Sequence, residues 1–510
     1  MSTPRVRIAP SPTGNLHIGT ARAALFNYLF ARKSGGVFVL RIEDTDVERS
    51  DKKYEKNIFA GLRWLGIDPD EGPEQGGPFA PYRQTERTAT YEKYVRQMLV
   101  QGKAFYCFHS ERELEEEKGN LLAAKRPHLH LCEYRTMDPQ EAEILTEAKQ
   151  DYIIRFKTPT GRKITFHDLI RGEVAFDSDL LGDFSIAKSP EIPLYNFAVV
   201  IDDFEMEITD VIRGEDHIAN TPKQLLIAWA LGWTKKSDDG LGDVVAPWKY
   251  AHLPLILGPD RSKLSKRHGA TSVDEYRQQG YLPDALFNFM ALLGWNPGGD
   301  QEIFSKEELI EKFSLEKVQK SGAVFDAVKL DWMNGEYIRK LPLENLFEQI
   351  KPFLPDSYNL QPTTYNLRVL ALEQPRLKKL SEIGEGAEYF FRRPEYNKDL
   401  LRWRNMKDEN IKAALELSIK ILEEEVLPRN ITSAQQLQDK FFSVETKVLL
   451  SLSPDIGGFE VGGGHRGFLL WPLRVALTGK KASPGPFEIM EILGIEESLA
   501  RIRAAEDRLR

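Results

Sequence analysis

Near its start the chain packs a strand, a turn and a helix into about thirty residues, and few folds accept that arrangement. An apolar stretch, Val6 to Ala9, runs into Pro10-Ser-Pro-Thr-Gly14, and an amphipathic pattern begins almost at once. The spacing predicts a helix over Thr20–Lys33 with Ala21, Ala24, Leu25, Tyr28 and Leu29 on one face, ended by Gly35-Gly36. Val37-Phe-Val-Leu-Arg-Ile42 then reads as a buried parallel strand. Such a turn leads phosphate to a helix N-terminus, where backbone N–H groups are unpaired. It carries neither the Lys-Ser/Thr of a P-loop nor GxGxxG. It offers His17, Gly19 and Thr20 instead.

Further helices are predicted over Tyr54–Leu65 and Thr88–Gln101, so the first third reads as a doubly wound, Rossmann-like α/β sheet. Around residues 105–195 the pattern changes to an acidic helix, Glu111–Lys118, and short segments such as Ile153–Lys157, an α+β insertion. The sheet is expected to resume with strands over Phe197–Ile201 and Glu207–Ile212. Thr221-Pro222 reads as the cap and first residue of a helix that stops near Gly232. Beyond about residue 280 the spacing is helical: Asp284–Leu293, Leu343–Leu354, Thr363–Leu380, Glu409–Val426 and Pro486–Arg508. An all-α C-terminal half follows.

At 510 residues the chain is too long for one ordinary core. Its net charge of −8 excludes a uniformly basic coat but leaves room for local basic patches. Two cysteines, Cys107 and Cys132, fit a reducing cytoplasm better than a disulfide framework. No secretory signal is recognisable, and no apolar run reaches the roughly 18 residues a membrane span needs.

Two stretches could carry chemistry. An imidazole at His17, just before a helix, can donate to a developing phosphorane oxygen, and Gly19 lets a base or ribose approach the backbone. The second stretch is Gly258-Pro-Asp-Arg-Ser-Lys-Leu-Ser-Lys-Arg-His-Gly269, after the apolar run Leu253–Leu257. Its Lys263 and Lys266 can close on a polyphosphate. Alone, the first stretch is more simply a capped helix and the second a solvated charge run.

Together, with His17-Ile-Gly-Thr20 early and Lys263-Leu-Ser-Lys-Arg267 late, they resemble the two signatures of class I aminoacyl-tRNA synthetases. Arg7-Ile-Ala-Pro-Ser-Pro-Thr-Gly14, Arg41-Ile-Glu-Asp-Thr-Asp46, Tyr82-Arg-Gln-Thr-Glu-Arg87, Asp210-Val-Ile-Arg-Gly-Glu-Asp-His217 and Pro472-Leu-Arg-Val-Ala-Leu-Thr-Gly479 narrow the resemblance to the bacterial glutamyl-tRNA synthetases, over almost the whole chain. One departure is Thr20, where the name-giving motif has a second histidine.

The resemblance implies a ligase that activates L-glutamate with ATP and Mg²⁺, then transfers it to the terminal adenosine of tRNA(Glu), in a cytoplasmic monomer with no membrane attachment. His17, Lys263 and Lys266 would be catalytic. His17, Gly19, Thr20, Asp216, Leu257 and Lys266 would bind ATP. Arg7, Ala9, Ser11, Glu43, Tyr195 and Arg213 would bind glutamate, with Arg213 rejecting glutamine because a cation gains less from an amide. Five segments follow: 1–107 and 196–257, the two halves of the catalytic domain; 108–195, an inserted acceptor-stem-binding domain; 258–345, the lysine loop with a helical stem-contact domain; and 346–510, a helical anticodon-binding domain. Arg376 and Arg474 would meet the anticodon, and an arginine at 376 favours discrimination against tRNA(Gln). The clusters Arg376–Lys379, Arg392-Arg393 and Arg402-Trp-Arg404 read mostly as solvated faces.

Some relatives carry zinc in the insertion on a Cys-x-Cys…Cys-x-His pattern. The corresponding residues here are Cys107, His109, Cys132 and Tyr134, and tyrosine is a poor fourth ligand, so no metal is assigned. Gly462-Gly-Gly-His-Arg-Gly467 matches GxGxxG but lacks a surrounding strand–helix unit, and reads as a loop before a helix. A glutaminyl-tRNA synthetase usually ends in β-barrels, a shortened tRNA-modifying relative lacks the helical half, and a silent RNA-binding relative should have lost His17, Lys266 or Arg213.

Overall fold

The computed structural model describes residues 3–125, 129–130, 132–148, 151–234, 244–245, 247–355, 363–449 and 466–509. It divides into two compact units. One comprises residues 1–278 and 283–330, and the other residues 279–282 and 331–510.

The first unit is built on a mostly parallel sheet. Arg5–Ile8 pairs in parallel with Val37–Leu40, and the helix Ile18–Ser34 connects them. The expected apolar face of that helix is buried, and Gly35 ends it in the left-handed conformation (φ 62°). On its other side Arg5 accepts from Thr209 N (2.9 Å), which brings in the parallel strands Asp210–Gly214 and Lys249–Leu253. Lys163–Asp168, from the inserted region, adds beside Lys249–Leu253 and folds back on Gly172–Asp177. The inserted region also forms an antiparallel sheet of its own: Ala104–Cys107, Ile153–Phe156, Ser185–Ser189 and Ile192–Pro193.

Several expected boundaries move. Phe197–Ile201 is not a strand: it lies in the helix Tyr195–Glu205. All five residues are at most 2% exposed, so the helix has no polar face there to betray its period. The following strand is Asp210–Gly214 rather than Glu207–Ile212. Thr221 is the first residue of its helix and Asn220 precedes it as cap, which frees the Thr221 hydroxyl for other partners. The loop 258–269 is laced through Asp260, whose carboxylate accepts from Ser262 N (2.9 Å) and Oγ (2.7 Å) and pairs with Arg267 and His268. Gly258 lets the loop close tightly, since a Cβ there would stand 2.9 Å from the His268 ring and one of the two would have to shift.

The second unit is helical, with no strand among its described residues. Expected helices are shorter where backbone chemistry intervenes. Leu343–Ile350 gives way to a 3₁₀ turn at Lys351-Pro-Phe353, and Thr364–Glu373 to one at Gln374-Pro-Arg376. Glu409–Val426 divides into an α-helix, Asp408–Ile421, and a π turn, Leu422–Val426. The C-terminal pattern splits at Gly494 (φ 82°) into Pro486–Leu493 and Ile495–Asp507. No helix among the described residues is long and apolar enough to cross a membrane.

Candidate active site

The chain leaves Arg5–Ile8 for Val37–Leu40 on one side and returns to Asp210–Gly214 on the other, so the strand order reverses at the first strand. Open α/β sheets bind ligands at the carboxyl ends of strands beside such a reversal. A cleft of about 530 Å³ opens there, lined by Ile8 to Ser11, Ile212 to Gly214 and Pro254 to Ile256, with the start of the helix Ile18–Ser34. Of the residues singled out in the sequence, it gathers Arg7, Ala9, Ser11, His17, Gly19, Thr20, Glu43, Tyr195, Arg213, Asp216 and Lys263. Leu257 and Lys266 are not among its walls. Leu257 pairs with Val324 and bridges Lys263, while Lys266 is exposed in the short turn Lys266–His268.

On the helix side, His17 is the N-cap of Ile18–Ser34. Its Nδ1 accepts from Gly19 N at 3.0 Å, so a neutral ring carries its proton on Nε2 as a donor. Burial, reinforced by the Lys263 ammonium, holds His17 below its ordinary value of 6.5 and keeps it neutral. A Cβ on Gly19 would press to 3.3 Å from His17 Nδ1. Lys263 Nζ stands 3.5 Å from Asp216 Oδ2, both exposed.

The opposite wall is charged and buried. Arg7 commits Nε and Nη2 to Asp203, both at 3.0 Å, and Arg41 Nη1 reaches the same carboxylate at 2.8 Å. Burial opposes ionisation of Asp203, but Arg7 and Arg41 outweigh it and hold the carboxyl below its ordinary range. Glu43 pairs with Arg41 Nη2 at 3.2 Å. Burial pushes its carboxyl up against the pull of Arg41 and Arg7, so a cation entering the cleft would find an underpaired acid. Tyr195 donates to His217 Nδ1 at 2.9 Å. Burial and Arg213 push His217 down to about 4, making it a neutral acceptor, and burial pushes the Tyr195 hydroxyl up to about 12. Arg213 gives Nε to His252 (3.2 Å) and Nη2 to Thr221 (2.8 Å), leaving Nη1 buried without a partner among the described residues. Each arginine thus turns one edge of its fork to the protein.

Sequence reasoning missed Asp203, His217, His252 and Arg22. Arg22 reaches the Pro254 and Leu293 carbonyls from inside the helix, fixing one wall. Asp203 lies two residues beyond the segment misread as a strand, in the same helix Tyr195–Glu205.

The inserted region holds a second cluster, and it corrects the expected donor set. Cys107 Sγ, His109 Nδ1, His130 Nε2 and Cys132 Sγ all lie within 4.8 Å of one another. The fourth side chain of the cluster is His130, not Tyr134. Tyr134 sits in the turn Glu133–Thr136 with its ring against His109, 4.9 Å between centroids. The separations Cys107–His109, Cys132–His109 and Cys107–His130 are 3.4, 3.6 and 3.9 Å. The edges of a zinc tetrahedron with these donors are roughly 3.4–3.8 Å. Glu117 Oε2 sits 2.6 Å behind His130 Nδ1, so Nε2 faces the centre. The set fits zinc. The sequence signal was a His-x-Cys pair at 130 and 132, mirroring Cys-x-His at 107 and 109.

In the helical unit, Arg474 has a buried Nε with no partner among the described residues, and burial and the nearby Arg376 guanidinium hold it below its ordinary value. Arg376 is 42% exposed, 3.7 Å from Glu373. Arg393 and Arg402 are paired with Glu497 and Asp408. Gly462 to His465 lie outside the described residues; Arg466 and Gly467 begin the helix Arg466–Thr478.

Comparison with known proteins then bears on both units. A family described as tRNA synthetases class I (E and Q), catalytic domain, matches residues 4–332, and an anticodon binding domain matches 345–442 and 462–506. A glutamate–tRNA ligase of Carboxydothermus hydrogenoformans is 47% identical, covering 98% of each chain, and one of Desulforamulus reducens is 42% identical, covering 98% of this chain and 99% of that one. Among solved structures, a glutamate–tRNA ligase of Elizabethkingia meningosepticum, in complex with its amino acid, superposes with a TM-score of 0.84 at 34% identity over the whole of both chains.

Proposed function

Because the chain belongs to the bacterial glutamate–tRNA ligases of class I, we propose that its cleft works in two steps on substrates held by the residues gathered there. The enzyme joins L-glutamate to tRNA using ATP. In the first step the α-carboxylate of glutamate attacks the α-phosphorus of ATP, and pyrophosphate leaves. In the second, a ribose hydroxyl of the terminal adenosine attacks the activated carbonyl, and AMP leaves. The observation that carries this reading is the cleft at the strand-order reversal, with a neutral His17 donor on one wall and Arg7, Glu43 and Arg213 on the other.

Glu43 receives the α-ammonium. Arg213 receives the γ-carboxylate through its spare Nη1. Arg7, Ser11, Tyr195 and the backbone at Ala9 complete the amino-acid site. His17 Nε2 donates to the phosphates over Gly19 and Thr20, Asp216 meets the ribose, and the backbone about Leu257 meets the adenine. Lys263 and Lys266 neutralise the triphosphate and the departing pyrophosphate. Lys263 is held by Asp216 here, so it must change partner as ATP binds. Mg²⁺ accompanies ATP as its complex. Segments 1–107 and 196–257 form the catalytic domain, 108–195 and 258–345 meet the acceptor stem, and 346–510 meets the anticodon through Arg376 and Arg474, discriminating against tRNA(Gln). The protein works as a cytoplasmic monomer.

Glutamate-dependent ATP–pyrophosphate exchange, with and without tRNA(Glu) and with glutamine in parallel, tests this. Exchange with glutamate and not glutamine is expected. Exchange with glutamine would overturn the assigned amino-acid site, and no exchange with tRNA still bound would leave only an RNA-binding role.

Zinc on Cys107, His109, His130 and Cys132 would be structural: four protein donors leave no open position for chemistry. Elemental analysis of purified protein is expected to give one zinc per chain. H130A should lose it, while Y134F, which alters only the residue the sequence pattern pointed to, should keep it.

A further inference from the structure

Arg213 is braced from behind by groups that do not line the cleft. His252, fully buried in the strand Lys249–Leu253, stands with Nε2 3.2 Å from Arg213 Nε and 3.2 Å from Thr221 Oγ1. A guanidinium only donates, so Nε2 must keep its lone pair and the ring proton must sit on Nδ1. Nδ1 donates to Asp168 Oδ2 at 2.6 Å. Asp168, also fully buried, ends the strand Lys163–Asp168 contributed by the inserted region. Its Oδ1 accepts from Ile170 N (2.9 Å) and Arg171 N (2.8 Å), and its Oδ2 from His252 N (3.0 Å) as well as Nδ1. Four donors fix that carboxylate in place. Burial, aided by Arg213, holds His252 below its ordinary value, and it is neutral as an acceptor must be. With Nε on His252 and one Nη2 hydrogen on Thr221, Nη1 is the Arg213 nitrogen with no protein partner among the described residues, and it is left for an occupant of the cleft.

We propose that Asp168 and His252 are positioning residues for glutamate recognition: Asp168 fixes the His252 tautomer, and His252 fixes the Arg213 guanidinium so that Nη1 meets the side-chain carboxylate. This rests on Arg213 being the group that holds that carboxylate. A cleft wall carrying Arg213 on the strand Asp210–Gly214 therefore takes its orientation from a residue of the inserted hairpin, 84 positions before His252 in the sequence.

Asp168→Asn sharpens the test. Every lone-pair position of the carboxylate is occupied, so an amide NH₂ must displace a donor. Facing Ile170 and Arg171 it would lose two backbone bonds. Facing His252 it loses one and can donate to Nδ1, which drives the ring proton to Nε2. His252 then confronts Arg213 Nε donor to donor. His252→Gln is the conservative counterpart, since one amide can accept from Arg213 and donate to Asp168.

The experiment is tRNA-dependent ATP–pyrophosphate exchange on the full chain with H252L, H252Q, D168N and R213K, recording KM for glutamate, KM for ATP and thermal melting. H252L and D168N are expected to raise KM for glutamate about tenfold or more, with KM for ATP nearly unchanged, and H252Q to recover most of the loss. If H252L and D168N leave KM for glutamate unchanged while R213K raises it, the bracing role is wrong and the reading of Arg213 stands. If R213K also leaves it unchanged, Arg213 itself has been misassigned. Parallel rises in both KM values, or no recovery in H252Q, would reduce the pair to ordinary core structure. Should H252L not fold, H252Q and D168N still decide the matter.

Discussion

Arg213→Leu is expected to raise KM for glutamate by about 10²-fold or more while kcat falls less, and to erase most of the preference for glutamate over glutamine. The magnitude follows from a charge-assisted pair in a dry site, about 3 kcal/mol, where one decade is about 1.4 kcal/mol. Arg213 is 6% exposed, and its Nη1 has no protein partner among the described residues, so water cannot substitute for it. Glutamine gains far less from that donor because its amide carries no charge, and it should lose correspondingly little in the variant. The measurement is kcat and KM for both amino acids in tRNA-dependent exchange. A variant that loses affinity for glutamate and glutamine in equal proportion would move the γ-carboxylate to another group, Arg7 being the next candidate. A thermal melt separates this from unfolding: removing Arg213 strands only a hydroxyl and an imidazole, at a cost of about 1–3 kcal/mol each at most.

How much of this was legible in the sequence depended on chain distance. The first strand, the proline-rich turn and the helix after it announce themselves because each is local. Alternation, turn residues and an apolar face lie within thirty positions, and the structure repeats them to within two residues. Phe197–Ile201 failed for the opposite reason. A helix packed on all sides has lost its period, and five apolar residues rich in valine and isoleucine then look like a buried strand. The breaks at Pro375 and Gly494 were visible as residue types, but the continuing helical spacing masked them. In the inserted region a borrowed pattern directed attention forward to Tyr134, although His130 stood two residues before Cys132. The relay behind Arg213 was out of reach. Nothing in a buried Asp168 on a hairpin or a His252 on a strand says that they meet, because their contact is made by the sheet.

Two roles coincide at His17, and substitution can separate them. The residue caps the helix Ile18–Ser34 through Nδ1 and, in the proposed reaction, donates to phosphate through Nε2. Asparagine is among the best N-caps, and its Oδ1 can take the Gly19 N–H in place of Nδ1. Its side chain ends there, so it presents nothing at the Nε2 position. His17→Asn should therefore fold and melt close to the parent while kcat for exchange falls about 10²–10³-fold, the usual loss for one donor aimed at transition-state charge. His17→Gln, whose amide reaches further, should regain part of the rate. His17→Ala loses both roles and should be about 1 kcal/mol less stable as well as slow. The pH profile adds an independent reading. Protonation of Nδ1 would expel the Gly19 N–H, so the neutral ring is the working form. Burial and Lys263 hold its pKa below 6.5, and exchange should persist as pH falls through 6.5 and fail only lower. An H17N enzyme with the parental rate would leave His17 as a helix cap and nothing more. The donor at the phosphate would then have to be Lys263, freed from Asp216.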